Sequence, residues 1–244
     1  MVENIHAAWQ KSMDGLLQTP FFRRLFDGSL DIRHYQALLR EIYYNTRENP
    51  ASFASMAWHL KGRKREIAKK IYRHCAAEHG HHELALDDLS ALGVDITEIP
   101  ARRPLPTTEA LIAFAVYNVQ NANPLAYLGY VFHLEMLPAQ LGGRIIAALA
   151  AMGVPKNAMS FLTEHAQADQ AHSKWLDDYF RHVIESTEDL EAIIHGTVGS
   201  CKLHGIMLEG VVDSVPEKDD WKPFPSSLGS PAPKALVKTA LKAD

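Results

Sequence analysis

Two glutamates lie in helical segments that are otherwise apolar. Glu78 falls at the centre of an apolar stripe through Ile71 and Ala85 when residues 64–92 are drawn as a helix with ~100° per residue. Glu135 lies in a segment that is apolar nearly all round. Because an unpaired buried carboxylate is strongly unfavourable, each of these glutamates requires a compensating charge.

Histidines next to Glu78 can supply that charge. His81 and His82 follow Glu78 at i+3 and i+4, on either side of it on the same helical face. Periodicity does not choose between the two imidazoles. The Glu-x-x-His pattern favours His81 as the metal ligand and leaves His82 as a neighbouring pocket group.

A second group of potential ligands lies in the predicted helix over 155–185. His165, Asp169 and His172 are spaced i, i+4 and i+7, which places all three on one helical face. An isolated acid on an earlier helix completes the pattern. Glu41 is the prediction for this position, although Glu48 shares its face.

In chain order, a helix with a single carboxylate is twice followed by a helix with a carboxylate-x-x-His motif. This is the arrangement of helical di-iron and di-manganese carboxylate sites. Anionic oxygens can bridge two divalent cations, and imidazoles leave positions open for oxygen. The predicted metal ligands are Glu41, Glu78, His81, Glu135, His165, Asp169 and His172. The remaining histidines, among them His74, His133 and His204, are interpreted as structural or surface residues.

The His-x3-Asp-x2-His string, with the upstream Glu-x-x-His motif and isolated glutamate, resembles the haem-oxygenase-like di-iron oxidases and oxygenases. The resemblance covers roughly residues 20–185. The stretch from Pro20 to Pro50 is also similar to the entry helices of thiaminase II and pyrroloquinoline-quinone synthase, which share the fold but use no metal. The resemblance implies a seven-helix haem-oxygenase-like bundle, a site between its helices and a homodimer. It also places the seven residues named above at the family's metal-ligand positions.

The function that we expect is that of a non-haem di-iron oxidase or oxygenase, which activates O2 to oxidise a small organic substrate. Two iron ions would be the cofactor, with manganese as an alternative in one position. Glu78 and Glu135 are the predicted catalytic residues, as bridging or near-bridging carboxylates. One alternative is a metal-free enzyme like thiaminase II or the quinone synthase, in which these acids and histidines act as general acids and bases. Another is an iron-binding or sensing protein without turnover.

Helices alone must position these residues, because the sequence contains no sustained alternation typical of strands. We predict an all-α domain over residues 1–213 and an irregular tail rich in Pro and Ser over 214–244, with a possible short terminal helix. The predicted helices cover about residues 2–18, 31–48, 51–60, 64–92, 107–121, 124–137, 144–152, 155–185 and 186–209. Asn49-Pro50 is expected to end one helix, and Pro138 with Gly142-Gly143 to interrupt another.

Composition excludes several classes of protein. The 244 residues carry 25 basic and 29 acidic side chains, a net charge of −4, which argues against a dedicated nucleic-acid binder. Thirteen histidines against two cysteines favour a nitrogen-and-oxygen metal site over a disulfide framework and suit a reducing cytosol. No apolar run reaches the ~18–20 residues of a membrane span. We therefore expect a cytoplasmic protein without nucleic-acid or membrane partners.

Overall fold

The computed structural model describes residues 1–216, except for the side chains of residues 167–174. Over these residues it contains nine α-helices, short 3-10 turns and no strand. The predicted tail lies outside this range from residue 217 onward. The helices are α1 (Val2–Leu17), α2 (Pro20–Phe26), α3 (Ile32–His59), α4 (Ala68–Glu78), α5 (His81–Ala91), α6 (Pro106–Asn121), α7 (Ala126–Ala151), α8 (Ser160–Val183) and α9 (Thr187–Asp213).

Helix α3 passes through Pro50, so the predicted helix end at Asn49-Pro50 is wrong. Proline removes one helical hydrogen bond, but tertiary contacts stabilise the segment beyond it. The Tyr127 hydroxyl donates to the Asn49 carbonyl at 2.9 Å, and Phe53 and other side chains after the proline are buried. A local preference is thus overridden by packing.

Helix α7 likewise runs through Pro138, and the prediction of two helices in this region is wrong. Four buried side chains explain its continuity: Leu137, Leu141, Ile145 and Leu149. Their spacing of four residues keeps one apolar stripe against the core on both sides of the proline. Burial of that stripe outweighs the lost helical hydrogen bond.

The predicted single helix over 64–92 is divided in two. Helix α4 ends at Glu78 and α5 begins at His81. Between them Gly80 adopts φ = 98°, a left-handed conformation that is readily available only to glycine. The division places Glu78 and His81 at the two ends of a tight turn instead of on one continuous helical face.

Helix α7 is the centre of the bundle and packs against both α8 and α9, while α3 packs against α4, α5 and α6. The contact between α7 and α9 is a close backbone approach. A Cβ atom on Gly129 would overlap the Ile193 carbonyl, and one on Gly196 would overlap the Ala126 carbonyl. Among the described residues, no helix has the length and apolar character required to cross a membrane.

Candidate metal centre

Two groups of potential metal ligands meet at Glu78. One contains Glu78, His81 and His165, and the other contains His74, Glu78 and Glu135. Within each group the ligand atoms lie within 4.8 Å of one another. Glu78 Oε2 lies 3.1 Å from His81 Nδ1, whereas its Oε1 lies 3.8 Å from His74 Nε2. The two oxygens of one carboxylate therefore face different histidines.

Glu78 is ionised despite its burial. Removal from water opposes ionisation, but the hydrogen bond with His81 and the nearby imidazoles of His81, His165 and His74 together hold the pKa of Glu78 below its ordinary value. Its side chain is 17% exposed. An anionic oxygen ligand is thus present between helices α4, α5 and α8.

The tautomer of His165 is fixed by its own helix. Its Nδ1 lies 2.7 Å from the carbonyl oxygen of Phe161, and because a carbonyl can only accept, Nδ1 carries the proton. The Phe161 ring also stacks on the imidazole, with centroids 4.0 Å apart. In the neutral ring Nε2 then keeps its lone pair, as is typical of histidines that bind metal through one nitrogen and donate to a carbonyl through the other.

An aspartate on a neighbouring helix anchors the start of α8, which carries His165. The Asp88 carboxylate accepts hydrogen bonds from the Ser160 amide at 2.8 Å, the Ser160 hydroxyl at 2.6 Å and the Phe161 amide at 3.0 Å. These contacts satisfy donors at a helix N-terminus. Helix α5 and helix α8 are thereby joined close to the metal-binding side chains, and Asp88 is fully buried.

His74 is the ligand candidate that sequence reasoning missed. It was interpreted as structural or surface, yet it is buried with Nε2 2.9 Å from Glu135 Oε1. The available signal was its position four residues before Glu78, on the same face of α4. Burial raises the thiol pKa of its neighbour Cys75 to about 12. Cys75 belongs to neither ligand group.

Glu41 lies outside these two groups, so the structure does not bring this predicted ligand together with the others. Its Oε2 accepts from the Leu105 amide at 2.9 Å and the Thr108 hydroxyl at 2.7 Å, and its Oε1 lies 3.2 Å from Arg40 Nε. The carboxylate therefore satisfies the N-terminus of α6. The alternative, Glu48, is 43% exposed and pairs with Arg47.

The geometry favours His81 over His82 as a ligand candidate. His81 contacts Glu78, and its ring lies 5.0 Å from that of His165. The His82 ring instead lies 5.6 Å from the Tyr43 ring, and His82 belongs to neither ligand group. The remaining two predicted ligands, Asp169 and His172, are positions of α8 whose side chains lie outside the described residues.

An apolar cavity of about 140 Å³ adjoins the ligand groups. A cavity of roughly 150 Å³ lined by aliphatic and aromatic side chains is large enough for a molecule of the size of benzene. Three metal-ligand candidates, Glu78, Glu135 and His165, line it. The rest of its wall is mainly apolar and includes Phe21, Phe22, Leu38, Ile42, Phe53, Val131, Leu134, Ile145, Phe161, Leu162, Met207 and Leu208.

Amide groups form one polar part of the cavity wall. The Tyr130 hydroxyl donates to Asn45 Oδ1 at 2.8 Å and lies 3.1 Å from Asn49 Oδ1, and both asparagines line the cavity. Burial raises the pKa of Tyr130 far above the neutral range, so the hydroxyl stays protonated. Helix α3 thus contributes neutral amides to the cavity, while its buried acid, Glu41, faces α6.

The donor set fits iron. Glu78 and Glu135 offer carboxylate oxygens and His74, His81 and His165 offer imidazole nitrogens, a mixture suited to iron or manganese. The two described carboxylates offset part of the charge of two divalent cations. Helices α4, α5, α7 and α8 hold these side chains beside an apolar cavity, an arrangement that suits chemistry on a small molecule.

Solved structures show the fold. A domain with a heme oxygenase-like fold from Shewanella denitrificans OS217 is 24% identical, with a TM-score of 0.77 over 87% of this chain and 90% of its own. A TenA homologue from Pseudomonas syringae pv. tomato DC3000 is 13% identical, with a TM-score of 0.73 over 86% and 92%. The TenA homologue of P. horikoshii OT3 is 11% identical, with a TM-score of 0.70 over 88% and 99%. The expected haem-oxygenase-like fold is confirmed.

No curated protein matches the chain significantly. The model of one protein family, described as iron-containing redox enzymes, matches residues 36–205. That range includes every ligand candidate as well as the helices that position them. The chain therefore belongs to the iron-containing redox enzyme family, with a haem-oxygenase-like fold.

Proposed function

We propose that the protein is a non-haem di-iron oxidoreductase that uses O2 to oxidise a small organic molecule. The observation that carries this proposal is the position of Glu78, which belongs to both ligand groups and directs its two oxygens to different histidines. A carboxylate in this position suits a bridge between two cations. Membership of a family of iron-containing redox enzymes supports the same assignment.

Each ligand group would hold one iron. Glu135 and His74 would bind one ion, His81 and His165 the other, and Glu78 both. Asp169 and His172 remain predicted ligands on α8. Bound iron would supply the oxidising power through its reaction with O2.

The chain itself contributes ligand geometry and a dry, shaped cavity. The Phe161 carbonyl holds the proton of His165 on Nδ1, which keeps Nε2 available to a metal. The apolar wall excludes water from the space beside Glu78 and Glu135 and orients a small substrate there.

Iron loading tests the proposal. The full chain is loaded anaerobically with ferrous iron, freed of unbound metal and analysed for iron per chain. We expect about two ions per chain, as in helical di-iron sites, and a transient visible absorption when O2 is added. Glu135→Gln should lower the bound iron, whereas Glu41→Gln, which replaces a buried acid of α3 in contact with the start of α6, should retain it.

Equal iron content in Glu135→Gln and the unaltered protein would contradict the proposed site. Rapid O2 uptake that yields no organic product with any substrate tested would indicate iron storage or sensing instead. Iron content and O2 uptake are measured on the same preparations. The circular dichroism of each variant shows whether it is folded.

A metal-free enzyme is the second candidate. The specific observation in its favour is the likeness to TenA homologues, which extends over nearly all of each structure. In that case Glu78, Glu135 and the nearby imidazoles would transfer protons at a substrate in the cavity. Activity that persists in the presence of a strong iron chelator would favour this candidate over the di-iron enzyme.

A further inference from the structure

Three aromatic side chains outside the metal centre, Trp9, His133 and the partly buried His204, form a hydrogen-bonded row. Trp9 Nε1 donates to His133 Nδ1 at 3.1 Å, and His133 Nε2 lies 3.0 Å from His204 Nδ1. Trp9 and His133 are almost completely buried. The row connects α1, α7 and α9, and neither ligand group includes any of its members.

The tryptophan N–H determines which ring nitrogen of each histidine in this row carries a proton. The indole N–H can only donate, so His133 Nδ1 must accept and cannot carry a proton. In the neutral His133 ring the proton is then on Nε2, which donates to His204 Nδ1. By the same reasoning His204 is neutral and carries its proton on Nε2. The row thus runs in one direction, from Trp9 to His204.

The direction of these hydrogen bonds matters because His204 lines the same cavity as Glu78, Glu135 and His165. Its Nδ1 is used by His133, which leaves the Nε2–H as the ring's donor for a further partner. Among the described residues, the other polar side chains in that wall, besides the metal-ligand candidates, are neutral: Asn45, Thr46, Asn49 and Tyr127. Within the described part of the chain, the cavity wall contains no lysine or arginine.

We propose that His204 is the substrate-recognition residue of this cavity and that the substrate is a small, mainly apolar molecule with an uncharged hydrogen-bond acceptor, such as a carbonyl oxygen. The Nε2–H of His204 donates to that acceptor, and the apolar wall holds the remainder of the molecule. Trp9 and His133 act as positioning residues that fix the His204 tautomer. The proposal rests on the proposed function in one respect, that this cavity is the substrate site.

The tautomers are tested first, by nitrogen NMR of the full chain labelled with 15N-histidine. We expect His133 and His204 each to show a protonated Nε2 and an unprotonated Nδ1 at pH 7. Assignment uses His204→Gln and His133→Gln. A His204 ring with its proton on Nδ1 would overturn the proposal, because the cavity would then meet a lone pair instead of a donor.

Recognition is tested with two ligands of nearly equal shape. Cyclopentanone carries a carbonyl acceptor, and methylenecyclopentane has a CH2 group in its place. On the unaltered protein we expect cyclopentanone to bind about tenfold more tightly in calorimetric titrations, the contribution typical of one hydrogen bond. Equal affinities, or no binding of either compound, would overturn the proposal without requiring any variant to fold.

The variant His204→Phe should lose the preference for cyclopentanone while it retains the iron content of the unaltered protein, since His204 belongs to neither ligand group. Retention of the preference would contradict the role of His204. Iron content separates the two proposals. Failure of the di-iron site appears as missing iron, whereas failure of the His204 proposal appears as equal ligand affinities in a protein of any iron content.

Discussion

His74 and Glu135 join helices α4 and α7 through a buried contact, with Nε2 of the imidazole 2.9 Å from Oε1 of the carboxylate. The same nitrogen lies 3.8 Å from Oε1 of Glu78. One imidazole thus faces both carboxylates. Because these three residues form one ligand group and His81 belongs to the other, the two groups can be altered separately.

His74→Ala should lower the iron content from about two ions to about one per chain, since His74 belongs to only one of the two groups. His81→Ala should have a similar effect on the other group. Iron per chain, measured after anaerobic loading, gives the answer. His59→Ala, at an exposed histidine at the end of α3, is the control and should bind as much iron as the unaltered protein. Full iron retention in His74→Ala would exclude His74 as a ligand.

Glu41→Gln should change stability and leave iron binding intact. The carboxylate accepts hydrogen bonds from the Leu105 amide and the Thr108 hydroxyl at the start of α6. Weakening such buried charged hydrogen bonds should lower the free energy of unfolding by about 1–3 kcal/mol. Urea denaturation measures that change. A Glu41→Gln protein of unaltered stability but reduced iron content would indicate that Glu41 is a metal ligand.

The comparison of Glu41 with Glu135 shows why the sequence predicts the site only in part. Both acids are buried, and the apolar neighbours of Glu135 in sequence predict its burial. Burial requires a compensating partner but does not say whether that partner is a metal, an imidazole or a helix N-terminus. Glu41 is satisfied by α6, which is 64 residues away in sequence at Leu105. Such a pairing depends on tertiary contacts and has no local signal.

The helices themselves were more predictable than their ends. Helical periodicity correctly predicted an all-α chain, because each helix buries one face. Pro50 and Pro138 were expected to end or interrupt helices, but burial of apolar side chains on both sides of each proline sustains α3 and α7. Gly80 was not expected to divide a helix. Its left-handed φ became apparent only in the folded chain.

Gly80→Ala should disturb the metal centre through the backbone. A left-handed conformation costs a residue with a Cβ atom about 1–2 kcal/mol, so the free energy of unfolding should fall by that amount. The turn at Gly80 also places His81 Nδ1 3.1 Å from Glu78 Oε2. Iron affinity should therefore decrease as well. Gly153 has φ = 89° in the turn between α7 and α8 and belongs to neither ligand group, so Gly153→Ala should lower stability by a similar amount and leave iron affinity unchanged.

Gly196→Ala should be strongly destabilising because of the close approach of α9 to α7. An added Cβ would overlap the Ala126 carbonyl, and backbone atoms cannot move aside as a flexible side chain can. Overpacking of this kind typically costs about 1–3 kcal/mol or more. Gly143→Ala is the matched control. Its Cβ would meet nothing within 4 Å, so alanine should stabilise α7 slightly. Thermal denaturation of both variants distinguishes the two effects.

The row from Trp9 to His204 predicts a pH dependence of stability. Burial lowers the pKa of His204 to about 4, whereas a histidine in an unfolded chain titrates near about 6.5. Between these values the unfolded chain binds a proton that the folded chain does not. The contribution of His204 therefore favours unfolding progressively as the pH falls through this range, and it becomes constant below about pH 4.

His204→Gln removes the imidazole that binds this proton in the unfolded chain. From pH 7 to pH 5 the free energy of unfolding of the variant should fall by about 1–2 kcal/mol less than that of the unaltered protein. The comparison concerns the change with pH, so any loss of hydrogen bonding that affects both pH values equally does not influence it. Urea denaturation at the two pH values provides the measurement, and His59→Gln, at an exposed position, should follow the unaltered protein. Parallel curves for His204→Gln and the unaltered protein would mean that His204 titrates alike in the folded and unfolded chains, which contradicts its burial as a neutral donor.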